Sequence, residues 1–290
     1  MIVPVSFDYK KPGSIEEAVA LLHQTKLSRP LAGGHELLVR VKQRRETPSM
    51  LVDLSNIPLL KKMGYSPDKS SFHIGAMVTC NDMIAIMPAK TNLGALKEAA
   101  ASIGDAQVRN CSTIGGNLGG GNPAADLAAA ILALEAEIHV TGHFGSRVIT
   151  ADQFFVGPFD TDLEVDEIIT EVVFPVISEQ SIGVYEKIKN SANSYPICGV
   201  AAVITLTEKK LVSSCRVAVT GATVHPIRLS EVETAMQGVK PNANNIVKAS
   251  SKANKNQTFV SDQFASDEYR AHLTNVVVER ALSRAAAVVR

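Results

Sequence analysis

Two glycine pairs place the tightest constraint on this chain. Gly33-Gly34 stands in Leu31-Ala32-Gly33-Gly34-His35-Glu36, and Gly115-Gly116 stands in Thr113-Ile114-Gly115-Gly116-Asn117. Each pair is flanked by small or apolar residues and is followed at once by a polar side chain. Glycine has no Cβ, so the backbone can turn sharply there and come close to a bulky anion. Successive N–H groups in such a segment form an anion-binding concavity. At about 1.5–3 kcal/mol for each hydrogen bond to a charged group, a handful of them hold a diphosphate without a lysine. Two similar segments, far apart in sequence, read as two walls of one diphosphate site and therefore point to a dinucleotide cofactor.

The common alternatives do not fit. A phosphate loop of the form G-x-x-x-x-G-K-[ST] is absent. The glycine-dense run Gly115 to Gly121 does not supply G-x-G-x-x-G at a strand-to-helix turn with an acidic residue about 20 positions on. Lys plus Arg equals Asp plus Glu at 29 each, so no basic field invites nucleic acid and an anionic ligand must be held locally. The richest apolar window, Ala124 to Leu134, is interrupted by Asp126 and falls short of the roughly 18 residues of a membrane span. Met1 to Asp8 lacks the basic-then-apolar pattern of a secretory leader. A cytoplasmic protein without a membrane span is expected.

Cys80, Cys111, Cys198 and Cys215 include no C-x-x-C pair, so neither a zinc site nor an iron–sulfur cluster is signalled. They are expected to be core or loop thiols without a disulfide. His35 has no second histidine or cysteine at a ligand spacing. No residue of the chain is assigned a metal-binding or catalytic role.

At 290 residues the chain is long enough for two or three compact domains. Ser14-Ile15-Glu16-Glu17 opens a helix with Ala18, Leu21 and Leu22 inward. Pro30 to Ala32 reads as a strand running into the first glycine pair, and Glu36 to Arg45 as a helix with Leu37, Leu38 and Val41 inward. Strands are expected over 50–54 and 72–76, a helix capped by Asn81 or Asp82, and an alanine-rich helix over Leu93 to Ile103. The second glycine pair reads as a loop. After it, Asn122-Pro123 supplies an N-cap and a first-turn proline for a helix to about Leu134. A hairpin over 136–150 and a strand over Ile168 to Phe174, stopped by Pro175, close this part. Segment 1–176 thus reads as two α+β subdomains, about 1–56 and 57–176, each carrying one glycine pair. From 177 to 290 strands over 200–207 and 215–221, polar helices and linkers, and a final helix over Asp267 to Val289 read as a separate C-terminal domain.

Asp126 falls in the first turn of the helix after the second pair. It reads either as a carboxylate facing the helix N-terminus or as an acceptor for ribityl or ribose hydroxyls, and the neighbouring glycine segment favours the second reading. Arg109 reads as a brace for nearby backbone carbonyls.

As a set, Ala32-Gly33-Gly34-His35, Thr113-Ile114-Gly115-Gly116-Asn117 and Pro123-x-x-Asp126 resemble the FAD-binding medium subunit of molybdenum hydroxylases, the family of carbon monoxide and xanthine dehydrogenases. The likeness extends to Ile74-Gly75-Ala76 with Thr79, Ser102 to Asn110, Asp166 to Glu171, and Ser266 to Tyr269. It implies a vanillyl-alcohol-oxidase (PCMH-type) flavin fold of two α+β subdomains sandwiching FAD. The α+β C-terminal domain would then be like that of the carbon monoxide dehydrogenase flavoprotein. By this resemblance Leu31, Ala32, Gly33, Gly34, His35, Glu36, Leu37 and Leu38, with Thr113, Ile114, Gly115, Gly116 and Asn117, carry the diphosphate. Ile103 and Val108 line the cofactor, and Ala125 and Asp126 meet the ribityl region. Ile168 and Ile169 offer backbone contacts to the ring edge, Lys187 lies near the ring and Tyr195 covers one of its faces.

The resemblance also implies partners: a molybdenum-cofactor large subunit and a two-iron–two-sulfur small subunit, assembled as a dimer of heterotrimers. FAD would pass their electrons to an external acceptor such as NAD or a quinone. The cysteine-bearing insertion of the benzoyl-CoA reductase branch is absent, and His35-Glu36 with Tyr185, Lys187 and Tyr195 leans towards the carbon monoxide dehydrogenase branch. A stand-alone flavin reductase or oxidase of the same fold is the alternative, and a scaffold without cofactor is a third reading.

Overall fold

The computed structural model describes residues 6–87, 92–176 and 180–288. The chain starts with strand β1 (Asp8–Lys10), helix α1 (Ile15–Gln24), β2 (Ser28–Leu31), α2 (Leu37–Lys42) and β3 (Met50–Asp53). Ser14 caps α1 by accepting the Glu17 N–H at 3.2 Å, and Ala18, Val19 and Leu22 fill its buried face. The three strands form a parallel sheet in the order β1-β3-β2. Parallel pairing needs a crossover, and α1 provides the one between β1 and β2.

A second layer follows: β4 (Met63–Tyr65), β5 (Ser71–Gly75), α3 (Cys80–Ile86), α4 (Gly94–Ser102), α5 (Ala106–Cys111), α6 (Ile114–Gly119) and α7 (Asp126–Ala133). Then come the hairpin β6 (Glu137–Gly142) and β7 (Gly145–Thr150), the short α8 (Ala151–Phe154), the ribbon β8 (Phe155–Gly157) and β9 (Asp160–Thr161), and β10 (Ile168–Pro175). Here an antiparallel sheet runs in the order β4-β5-β10-β6-β7. Strand β10 bulges between Ile169 and Glu171, which interrupts the two-residue alternation at its first residues.

Three local readings change. The second glycine pair lies inside α6 rather than in a loop, because the Thr113 hydroxyl accepts the Gly116 N–H at 3.1 Å and starts a helix there. Helix α7 begins at Asp126, with Ala125 at its cap, while Asn122 accepts the Ala124 N–H at 2.9 Å and closes a turn ahead of it. Thr79, not Asn81 or Asp82, caps α3, and Asp82 completes a reciprocal capping box from the third helical position.

The C-terminal part holds β11 (Ser181–Lys189), β12 (Pro196–Leu206), β13 (Val212–Thr220) and β14 (Ile227–Arg228), then α9 (Ser230–Met236), α10 (Ala243–Ser250) and α11 (Asp267–Val288). The expected last helical residue, Val289, lies outside the described residues. The strands form an antiparallel sheet in sequence order that is buried on both faces. Val200, Ala202 and Ile204 face a core shared with α9, α10 and α11, whereas Ala201 and Val203 face the core that holds α4 and α7. One strand therefore serves two cores through its period of two. Every residue of α7 is buried, as expected for a helix apolar on all sides.

Close packing of α4 on β11 depends on Gly183. A Cβ there would stand 1.9 Å from the Asn92 carbonyl oxygen and 3.0 Å from Ala95 Cβ. Gly183→Ala is expected to destabilise the chain by about 2 kcal/mol through overpacking. That lowers Tm by about 4–8 °C, as read in thermal unfolding of the full chain.

Candidate cofactor site

The two glycine segments meet. A Cβ on Gly33 would lie 1.9 Å from the Cys111 carbonyl oxygen, and one on Gly116 would lie 3.1 Å from Ala32 Cβ. A Cβ on Gly115 would stand 2.6 Å from Ala76 Cβ, at the end of β5. So Gly33 and Gly115 serve the contact of chain with chain, and Gly34, at φ +74°, turns the first segment over Leu31 and Leu38. A cleft of about 420 Å³ opens along this seam.

The two walls differ in chemistry. In the second, Ile114 donates to Val78 O, Gly115 to Ala76 O, Gly116 to Thr113 Oγ1 and Asn117 to Thr113 O, so its N–H groups are engaged. In the first, the N–H groups of Gly33, Gly34, His35, Glu36 and Leu37 meet no acceptor among the described residues. The first segment is therefore the donor wall, and the second is a surface with few side chains against which a bulky group fits. Asn117 Oδ1 is buried without a partner, which leaves an acceptor beside the cleft for a ligand hydroxyl.

Ala32, Gly33, Gly34, His35, Glu36 and Leu37 line the cleft with Thr113, Gly115, Gly116, Asn117, Ile168, Ile169 and Tyr195. Consecutive strand residues face opposite ways, and Ile168 and Ile169 join different cores; both border the cleft because they stand at the first end of β10. Leu31 and Leu38 pack under Gly34, and Ile114 is in the core. Sequence reading missed Ala76 and Met77, which follow β5, and Phe159, Thr161 and Leu163 from the β8–β10 connection. Gly75-Ala76 carried a signal; the connection has neither periodicity nor a motif. Glu36 bonds Arg40, which also holds Glu46 at 3.0 Å and lies 4.9 Å over the Phe159 ring. Burial pushes the Glu36 carboxyl above its ordinary range, against the opposing pull of Arg40.

Ile103, Val108, Ala125, Asp126 and Lys187 are not among the cleft's lining residues. Val108 packs over Gly104, and Arg109 donates to the Ile103 carbonyl at 2.9 Å, the brace expected of it. Tyr185 and Lys187, two apart on β11, share one face and reach Asp126. Its Oδ1 accepts from Tyr185 OH at 2.7 Å, Lys187 Nζ at 2.8 Å and Ser102 Oγ at 3.1 Å, whereas Oδ2 takes no donor from the described residues. Lys187 spends its other two donors on the carbonyls of Ser102 at 2.8 Å and Ser194 at 2.9 Å. One ammonium thus ties α4, α7 and the hairpin bearing Tyr195. Burial pushes the Asp126 carboxyl up, opposed by Lys187 and the two hydroxyls, and burial with the nearby Asp126 pushes the Tyr185 phenol well up.

Residues 5–177 match the FAD binding domain in molybdopterin dehydrogenase, and residues 183–285 match the CO dehydrogenase flavoprotein C-terminal domain. This chain belongs to the FAD-binding medium subunits of the molybdenum hydroxylase family. It is 34% identical over 289 residues to the carbon monoxide dehydrogenase medium chain of Afipia carboxidovorans, covering 99% of each chain. It is 31% identical to the glyceraldehyde dehydrogenase medium chain of Sulfolobus acidocaldarius, covering 98% of this chain and 99% of that one. The solved carbon monoxide dehydrogenase from Hydrogenophaga pseudoflava superposes with a TM-score of 0.93 at 34% identity, over 99% of both chains. The chain is accordingly a flavoprotein subunit of an oxidoreductase, and its cofactor is FAD. No helix among the described residues is long and apolar enough to cross a membrane.

Removing Lys187 leaves a buried carboxylate unpaired. Lys187→Met is expected to cost about 3 kcal/mol, and Asp126→Asn in the same chain to recover most of that loss. An Asp whose folded pKa is raised above its unfolded value adds stability below the unfolded value and loses it as pH rises through the folded pKa. Loss of the ammonium raises that pKa further, so the deficit should be largest at neutral pH and shrink in mild acid. Urea unfolding at the two pH values checks both statements.

Proposed function

We propose that this chain relays electrons, taking them from the iron–sulfur clusters of a partner subunit and passing them through FAD to an external acceptor. The observation that carries this reading is the seam between the glycine segments, with five open backbone donors on one wall and a surface largely free of Cβ atoms on the other. When bound, FAD supplies the exchange between one- and two-electron transfer, while the protein contributes position and electrostatics.

The N–H groups of residues 33–37 bind the diphosphate in this reading, and Gly115 and Gly116 let it approach. Asp126 Oδ2 accepts from ribityl hydroxyls while Oδ1 stays with Tyr185 and Lys187. Ile103 and Val108 flank the cofactor, and Tyr195 covers one ring face. Lys187 works here through the hairpin, since all three of its donors are already used. The partners are a molybdenum-cofactor large subunit and a two-iron–two-sulfur small subunit, in a dimer of heterotrimers located in the cytoplasm. Greater identity to the Afipia carboxidovorans chain, 34%, than to an Escherichia coli xanthine dehydrogenase FAD-binding subunit, 28%, favours the carbon monoxide dehydrogenase-like branch.

The purified full chain should take up FAD, and Gly116→Val should lose it while the C-terminal sheet still unfolds cooperatively. The assembled complex should contain molybdenum and iron, and its reducing substrate should bleach the flavin only when the partners are present. Flavin retained in Gly116→Val overturns the two-wall site. Turnover by the chain alone would establish a stand-alone reductase or oxidase instead.

A further inference from the structure

The donor wall carries a negative charge where a diphosphate would have to settle. Glu36 contributes one of the five open N–H groups, yet its carboxylate reaches across the seam as well. A Cβ on Gly120, at the end of the second wall, would lie 2.7 Å from Glu36 Oε2, and both residues line the cleft. Burial already works against that charge. An anion seated on residues 33–37 therefore meets a carboxylate of its own sign, and the repulsion stands unless a cation cancels it.

Arg40 is placed to do so. One turn further along α2, it bonds Glu36 through Nη2 and Glu46 through Nη1 at 3.0 Å. Glu46 in turn lies 3.4 Å from Arg29. Arg29, Glu46, Arg40 and Glu36 thus alternate in sign, and all four line the cleft. The Arg40 guanidinium stands over the Phe159 ring, whose N–H donates to the Gly121 carbonyl at 2.9 Å just beyond α6. A ring tied to the second wall therefore supports a cation that belongs to the first.

A charged pair at i and i+4 on a helix ordinarily needs no ligand to explain it. This pair differs in where it lies and in what it leaves open. A guanidinium has five N–H donors. Two of Arg40's meet carboxylates, and the other three meet no acceptor among the described residues. Its fork matches two oxygens of a phosphate as well as it matches a carboxylate. We propose that Arg40 is a side-chain ligand of the FAD diphosphate, held at the cleft by Glu36 until the cofactor competes for it. The proposal rests on the two-wall site described above and adds to its backbone donors one cation and one opposing carboxylate.

Fluorescence titration of the flavin-free full chain with FAD tests this. Arg40→Met should weaken binding by about tenfold, which corresponds to roughly 1.4 kcal/mol. Glu36→Gln keeps the shape of the side chain and removes its charge, so it should tighten binding. The double variant should bind more weakly than Glu36→Gln alone, since that difference reads Arg40 with its rival gone. Calorimetric titration with inorganic pyrophosphate should give the same order without the flavin ring. Wild-type affinity in Arg40→Met overturns the proposal. So does weakened binding in Glu36→Gln, which would make the pair a prop for the segment, or equal binding by Glu36→Gln and the double variant. FAD lost in Gly116→Val but held normally in Arg40→Met leaves the two-wall site standing and removes Arg40 from it. A wild-type chain that takes up no FAD sinks the two-wall site instead, and the pyrophosphate titration still decides the role of Arg40.

Discussion

Everything at this site depends on a backbone contact that side chains would forbid. Gly33 rests on the Cys111 carbonyl just ahead of α6, and Gly116 lies against Ala32. Through these two contacts the segment after β2 and the start of α6 form one seam. The contact leaves the first segment's N–H groups turned away from the chain's own acceptors. Unsatisfied backbone donors are costly when sealed from water, so an open cleft that admits an anion suits them. In the proposed site, cofactor binding by this chain is thus an outcome of how closely two glycine-bearing segments pack.

The C-terminal sheet completes the site from behind. Because β12 alternates between two cores, the sheet is joined to α4 and α7 as firmly as to its own helices. Gly199 makes room for the Tyr185 hydroxyl, which a Cβ would approach to 2.2 Å. That space lets Tyr185 and Lys187 reach Asp126, and the ammonium then holds the Ser194 carbonyl beside Tyr195. Order in the hairpin over the cleft is therefore linked to a buried ion pair at the start of α7.

Much of the architecture could be read from local pattern. Ser14 and the apolar spacing after it mark α1, and the alternation on both sides of Gly142-His143-Phe144-Gly145 marks the β6–β7 hairpin. Pattern reading failed where a side chain competed for a backbone group. Thr113 turned a glycine pair, poor in helix propensity, into the first turn of α6, and Asn122 used its oxygen within a turn rather than at the α7 cap. Ile168 and Ile169 were both found by resemblance. The bulge that follows them depends on pairing with β6 and cannot be read from β10 alone.

The sequence by itself determined the kind of ligand. Two glycine pairs without a phosphate-loop lysine or a Rossmann spacing leave a dinucleotide held by backbone as the consistent reading, because glycine placement is written residue by residue. Tertiary structure decided how the labour is divided. It made the first segment the donor wall and the second the close-packed wall, and it sent Lys187 to Asp126 and Ser194 rather than to the cleft. Those outcomes depend on which acceptor lies nearest each N–H and each ammonium, and that distance is set only when the strands and helices pack.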